Sequence, residues 1–99
     1  MRTYERMHVI SRKALLEFAA KHADAWTPLD DWYRIAKKGE WKHLDEVRKT
    51  FPHADLAGEF TIFNISGNKY RLSTLVNYRS RRIYIDKVMT HAEYSRREF

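Results

Sequence analysis

The chain has 99 residues, enough for one domain with one hydrophobic core, which we place over residues 1–99. It has no cysteine, which excludes disulfides and thiolate zinc sites and agrees with a cytoplasmic location, and no apolar run reaches the ~20 residues needed to cross a membrane. The net charge is +6, with 8 basic and 4 acidic residues in 59–99, so we expect a polyanionic partner such as nucleic acid; a basic surface that serves solubility alone is the alternative.

The first half of the chain predicts one strand followed by two helices. Residues 7–11 are β-branched in the middle and predict a strand, whereas residues 12–22 show apolar side chains at helical spacing. A second helical pattern runs through residues 27–51. Ser11 and Thr27 are the expected N-caps of these helices. Gly39 should interrupt the second helical pattern, and Pro52 should end it.

The second half predicts three strands joined by tight turns. Residues 59–65 are apolar on both sides, so this strand should be buried on two faces. Turns at residues 66–68 and 80–82 separate it from strands at 70–78 and 83–89. The order β-α-α-β-β-β predicts an α+β domain with two helices on one face of a small, mainly antiparallel sheet. The other face is then open to hold a site.

Arg71 is the first candidate for a functional role. Side chains alternate along a strand, so Arg71 should share a polar strip with Ser73, Asn77 and Arg79. A guanidinium on a rigid strand can hold a phosphate through two hydrogen bonds. The alternative is a solvated arginine on an exposed sheet face.

Two further groups of cations could contact a nucleic acid. Arg79, Arg81 and Arg82 follow Tyr78 and could track a phosphate backbone while the ring stacks on a base; a solvated hairpin tip is the alternative. Lys37 and Lys38 lie on the second helix, where a solvated helix face is the simpler interpretation.

His91 and Tyr94 stand where the last strand ends. Histidine titrates near neutral pH and can give or take a proton, although a lone histidine can also simply decorate a strand end. The five histidines are scattered without metal-ligand spacing, and no Gly-rich phosphate loop is present. The sequence therefore predicts neither a metal site nor a cofactor.

The chain resembles the HigB family of bacterial toxins within the RelE/ParE-like superfamily. The most specific matches are residues 68–72, with the sequence Asn-Lys-Tyr-Arg-Leu, and residues 90–94, with the sequence Thr-His-Ala-Glu-Tyr. The resemblance extends from Met7 to about Ser95, and the further matching stretches are residues 7–11, 32–33, 40–42, 60–64 and 83–85. Three features depart from the family: residues 1–6 precede the usual start, Asp86 replaces a basic residue, and Ser95 replaces an aspartate.

The resemblance implies a RelE-like fold and a toxin that cleaves translated mRNA on the ribosome without a metal. It implies a HigA-like helix-turn-helix antitoxin as partner, with operator DNA bound only through the toxin–antitoxin complex. Arg71 would stabilise the charge on phosphorus, His91 would act as general acid or base, and Tyr94 would orient or share the proton transfer. The residues expected to contact RNA are Asn68, Lys69, Arg79, Arg81, Arg82, Lys37 and Lys38. The alternatives are a non-catalytic RNA- or ribosome-binding module and a ParE-like toxin that acts on a protein.

Overall fold

The computed structural model describes residues 6–97. Residues 1–5, most of the segment that precedes the usual family start, lie outside this range. The strands are β1 His8–Ile10, β2 Asp55–Ala57, β3 Phe60–Ile65, β4 Tyr70–Asn77 and β5 Arg82–Thr90, and the helices are α1 Lys13–Lys21, α2 Trp26–Ala36, α3 Leu44–Thr50 and α4 His91–Arg96. No helix within residues 6–97 combines the length and apolar character needed to span a membrane.

A five-stranded sheet in the order β1-β5-β4-β3-β2 forms the centre of the molecule. β1 runs parallel to β5, and the other pairs are antiparallel. The prediction of an α+β domain with a mainly antiparallel sheet is confirmed. So is two-sided burial of β3, because the neighbouring residues Ile62 and Phe63 are 3% and 1% exposed.

The N-terminal helices cover one face of the sheet and form the core with it. Phe63 of β3 contacts Trp32 of α2 and Phe51 beyond α3, each with ring centroids 5.2 Å apart. Phe18 of α1 packs edge-on against Tyr70 of β4 at 5.2 Å. This layer of aromatic rings fixes the helices to β3 and β4, so the ends of these strands are held rigidly.

The helix boundaries correct several expectations. α1 is preceded by Arg12 and is not capped by Ser11. α2 begins at Trp26, before the expected cap Thr27, because a 3-10 turn at Ala23–Ala25 leads directly into it. The second helical pattern, residues 27–51, forms two helices, α2 and α3. A Cβ atom on Gly39 would lie 2.7 Å from the Trp41 ring, so the chain needs glycine at this close approach between α2 and α3.

Two short elements were absent from the prediction. β2 pairs antiparallel with β3 and forms an edge of the sheet, and α4 begins directly where β5 ends. The predicted turn between β3 and β4 is confirmed, with positive φ angles of 55° at Ser66 and 63° at Gly67. This turn and the start of α4 meet at the same end of the sheet, because the backbone N–H of His91 donates to the Lys69 carbonyl at 3.2 Å.

Candidate active site at one end of the sheet

The Arg71 side chain is held in a fixed direction on the sheet face opposite α1 and α2. Its Nη2 donates to Asn68 Oδ1 at 2.7 Å, and its Nη1 donates to the Asn68 carbonyl at 3.1 Å. The guanidinium lies 5.6 Å from the centre of the Tyr94 ring. Within residues 6–97 no carboxylate forms an ion pair with Arg71, so its charge can act on an anionic ligand.

A capping box builds the start of α4, which brings His91 and Tyr94 to this site. The Thr90 hydroxyl accepts from the Glu93 N–H at 3.2 Å, and Glu93 Oε1 accepts from the Thr90 N–H at 2.9 Å. The hydrogen bond from the Thr90 backbone holds the pKa of Glu93 below its ordinary value. The spacing Thr-x-x-Glu is a helix-start signal that the sequence analysis overlooked.

The two candidates at the end of β5, His91 and Tyr94, lie in different surroundings. Tyr94 is half-buried beside Arg71, whereas the His91 side chain is exposed at the first position of α4. The structure therefore brings Arg71, Asn68 and Tyr94 into one group. His91 lies on the exposed rim of the same end of the sheet, where its backbone N–H donates to the Lys69 carbonyl.

Lys69 points away from Arg71 and joins a separate polar cluster. Its ammonium pairs with Asp24 of the 3-10 turn, and the Tyr70 hydroxyl donates to the same carboxylate at 2.7 Å. The hydrogen bonds from Lys69 and Tyr70 hold the pKa of Asp24 below its usual value, and the pKa values of Lys69 and Tyr70 are raised by the same contacts. Sequence reasoning could not find Asp24, since it lies 45 positions from Lys69.

A basic cleft of about 520 Å³ lies at the opposite end of the sheet. Lys37 lines this cleft together with Arg81 and Arg82 of the β4–β5 turn. The Lys37 ammonium lies 5.2 Å from the ring of Tyr33, another lining residue. Arg79 is exposed in the same turn, and Lys38 is exposed just after α2. The cleft thus gathers three of the predicted RNA-contacting residues.

The predicted polar strip along β4 is interrupted. Ser73 is completely buried, and its hydroxyl finds no hydrogen-bond partner in the described part of the chain. Tyr78, expected to stack on a base, packs instead against the hydrophobic core. Six residues at about 3.3 Å each separate Arg71 from Asn77, so Arg71 and the basic turn lie about 20 Å apart.

The site offers a fixed cation, a tyrosine hydroxyl and an imidazole at one end of a rigid sheet. Such a set can bind a phosphate and move a proton to or from an oxygen attached to it. Over residues 6–97 no three His, Asp or Glu side chains lie close enough together to hold a metal ion.

Comparison with known proteins identifies one family over most of the chain. A family model described as HigB_toxin, the RelE-like toxic component of a toxin–antitoxin system, matches residues 25–97. The mRNA interferase toxin HigB of Escherichia coli (strain K12) is 34% identical over 91 residues, which cover 89% of this chain and 88% of that protein. The mRNA interferase HigB of Shigella flexneri gives the same values, and that of Escherichia coli O6:H1 is 27% identical over 93 residues, covering 91% and 90%.

Proposed function

Because the chain belongs to the HigB family of RelE-like toxins, the toxic components of toxin–antitoxin systems, we propose that it is an mRNA interferase. It is an endoribonuclease that cleaves messenger RNA during translation in the cytoplasm. The observation that supports this activity best is the Arg71 guanidinium, which Asn68 orients and no carboxylate within residues 6–97 neutralises.

The proposed reaction uses the 2′-hydroxyl of the RNA as nucleophile. As its oxygen attacks the adjacent phosphorus, the hydroxyl proton passes to a base. The bond to the 5′-oxygen of the next nucleotide breaks, and that leaving oxygen takes a proton from an acid. Arg71 stabilises the negative charge that develops on the phosphoryl oxygens. His91, exposed at the rim, exchanges protons with the substrate, and Tyr94 fixes the phosphate between its hydroxyl and Arg71.

The basic cleft holds RNA at a distance from the cleaved bond. Lys37, Arg81 and Arg82 contact phosphates there, with Arg79 and Lys38 near by. Lys69 reaches RNA only if it leaves its ion pair with Asp24, so its main role is to tie the 3-10 turn to β4. The partners that complete this function are the ribosome and a helix-turn-helix antitoxin, through which the toxin meets operator DNA.

Mapping of mRNA 5′ ends by primer extension on a translated message tests the proposal. The wild-type protein should produce discrete new ends, because an endonuclease cuts within the message. Arg71→Ala should slow cleavage by roughly 10²–10³-fold, the usual effect of removing one charge-stabilising donor. Arg34→Ala is the matched control, since it removes the same charge from α2, where Arg34 pairs with Asp30 outside the site.

Two results would contradict the proposal in different ways. A wild-type protein that binds translating ribosomes but leaves no new ends would be a non-catalytic binder. If Arg71→Ala and His91→Ala both cleaved at the wild-type rate, the activity would stand and the residue assignment would be wrong. If the melting temperatures of both variants are unchanged, any loss of RNA cleavage is a loss of catalysis and not of folded protein.

A further inference from the structure

Arg97, just beyond α4, ties the end of this helix to the sheet. Its Nη1 lies 2.8 Å from Asp86 Oδ2 and 3.8 Å from the sulfur of Met89, both on β5. Its guanidinium also lies 4.9 Å from the centre of the Phe60 ring of β3. The side chains of Arg97 and Asp86 are 21% and 30% exposed, so the ion pair is partly shielded from solvent.

A β-bulge directs Asp86 toward Arg97. On β5, Ile85 pairs with Thr74 and Lys87 pairs with Ser73, so two neighbouring residues of β4 face positions two apart on β5. Asp86 is the extra residue between them. Bulges next to active sites often redirect one side chain, and here the redirected carboxylate meets the arginine that follows α4.

Tyr94 and Arg97 lie on the same face of the C-terminal segment. Within residues 91–97 they are the two side chains that are half-buried, and their spacing of three places them side by side on a helical turn. α4 has only six residues, too few to form a stable helix alone. Its position therefore depends on contacts with the rest of the fold, among them the Thr90 cap at its start and the ion pair of Arg97 at its end.

We propose that the ion pair between Asp86 and Arg97 is a positioning device for the active site. It holds the end of α4 on the sheet, so that the Tyr94 ring lies over Arg71. This inference rests on the proposed RNA-cleaving function. Asp86 departs from the family pattern, and the proposal gives it a role, because its negative charge forms the ion pair with Arg97. Neither residue contacts the substrate.

The first test separates catalytic rate from RNA binding. Single-turnover cleavage is measured on mRNA in purified bacterial ribosomes with an open A site, beside the affinity for the same complex. Asp86→Asn and Arg97→Ala should each lower the rate constant by about 10-fold, because misplacement of a catalytic group by a fraction of an ångström has effects of this order. Affinity should stay unchanged, and the double variant Asp86→Lys/Arg97→Glu should recover most of the rate.

Arg96→Ala is the matched control, because Arg96 is exposed on the last turn of the same helix. It should cleave as the wild type does. Wild-type rates in both single variants, or no recovery in the charge-reversed pair, would overturn the proposal. So would a loss of affinity at unchanged rate in Arg97→Ala, which would make Arg97 a phosphate contact.

The second test does not depend on cleavage. The Arg71 Cζ atom lies 5.6 Å from the centre of the Tyr94 ring, so the NMR resonance of the adjacent Nε–Hε group should sense that ring. In Arg97→Ala it should shift toward its value in Tyr94→Ala, and in Arg96→Ala it should stay in place. An unmoved resonance in Arg97→Ala would overturn the positioning role. A wild-type protein that fails to cleave would instead refute the proposed function, and the two failures are thereby distinguished.

Discussion

Asn68 determines the direction in which the Arg71 guanidinium points. Asn68→Ala removes the 2.7 Å hydrogen bond to the side-chain oxygen and leaves the 3.1 Å bond to the backbone carbonyl. We expect the single-turnover cleavage rate to fall about 10-fold at unchanged RNA affinity. A poorly oriented donor loses more of its interaction with the transition state than with the bound substrate. Rapid-quench cleavage and equilibrium binding on the same ribosome complex measure the two quantities.

Asn68→Asp is the control for this prediction. A carboxylate keeps the acceptor for Arg71 and should keep its orientation, but it adds negative charge beside the phosphate and should weaken RNA binding. The sequence suggested that Asn68 contacts RNA directly. If Asn68→Ala weakened binding and left the rate unchanged, that interpretation would hold and the orienting role would be wrong.

Arg81 combines an unfavourable backbone conformation with a proposed RNA contact. Its φ angle is 58°, in the left-handed region that costs a non-glycine residue roughly 1–2 kcal/mol. Arg81→Gly should raise the free energy of unfolding by about 0.5 kcal/mol, since glycine relieves this strain but gains freedom in the unfolded chain. It should also reduce the slope of log K against log salt for single-stranded RNA by about 0.7.

Arg82→Ala separates the two effects. It removes a cation from the same cleft at a residue whose φ is not positive, so the salt slope should fall equally without a gain in stability. Urea unfolding gives the stability and fluorescence anisotropy at several salt concentrations gives the slope. A stability gain in both variants would show that the strain at Arg81 is not its cause.

At the scale of elements, the sequence predicted the strands and helices that have a regular pattern of hydrophobic residues. β3 is apolar on both sides and β4 alternates; both are rich in β-branched and aromatic residues and lie within the predicted ranges. β2 is Asp-Leu-Ala, an edge strand whose Leu56 is 55% exposed. It has neither an alternating pattern nor a buried apolar run, so the sequence does not predict it. α4 is only six residues long, and Arg97 at its end contacts the ring of Phe60, which is far away in sequence.

The capping box of α4 gives a prediction at the same scale. Thr90→Val keeps the shape of the side chain but removes the acceptor for the Glu93 N–H, at a cost of about 1 kcal/mol. We expect a lower helix population in α4, read from Cα chemical shifts, and slower RNA cleavage, because α4 presents both His91 and Tyr94. Thr90→Ser keeps the hydroxyl and should behave as the wild type does.

The same cap makes α4 sensitive to acid. The pKa of Glu93 is lowered in the folded state, so its stabilising contribution is complete above its ordinary pKa of 4.5 and is lost as pH falls through the lower folded value. The helix population of α4 should therefore decrease in acid below pH 4.5. In Glu93→Ala this pH dependence should disappear. A persistent dependence would assign it to another group.

At the scale of the whole molecule, Arg71 and the basic cleft lie at opposite ends of β4. Alternation along the strand correctly places Arg71 opposite Tyr70 and Leu72, which pack into the core. It cannot show that Ser73 is covered, because burial depends on how the rest of the fold packs against the strand. The polar strip expected from the sequence is therefore two separate sites, about 20 Å apart by the rise of a β-strand.

This separation predicts that the two sites act independently. Lys37→Ala/Arg82→Ala should weaken binding of single-stranded RNA and reduce its salt slope by about 1.4, without changing the cleavage rate of bound RNA. Arg71→Ala should change mainly the rate. In the triple variant the losses in free energy should add within about 0.5 kcal/mol, as they do for sites more than ~10 Å apart with no shared partners.

Lys13→Ala/Lys49→Ala is the control for this prediction, because it removes the same charge from exposed positions on α1 and α3, away from the cleft. It should leave the salt slope nearly unchanged, since only phosphates in contact release their counterions. A coupling free energy above about 1 kcal/mol between the cleft and Arg71 would contradict independence. RNA held in the cleft would then have to strain or align the phosphate at Arg71, and the cleft would belong to the catalytic apparatus.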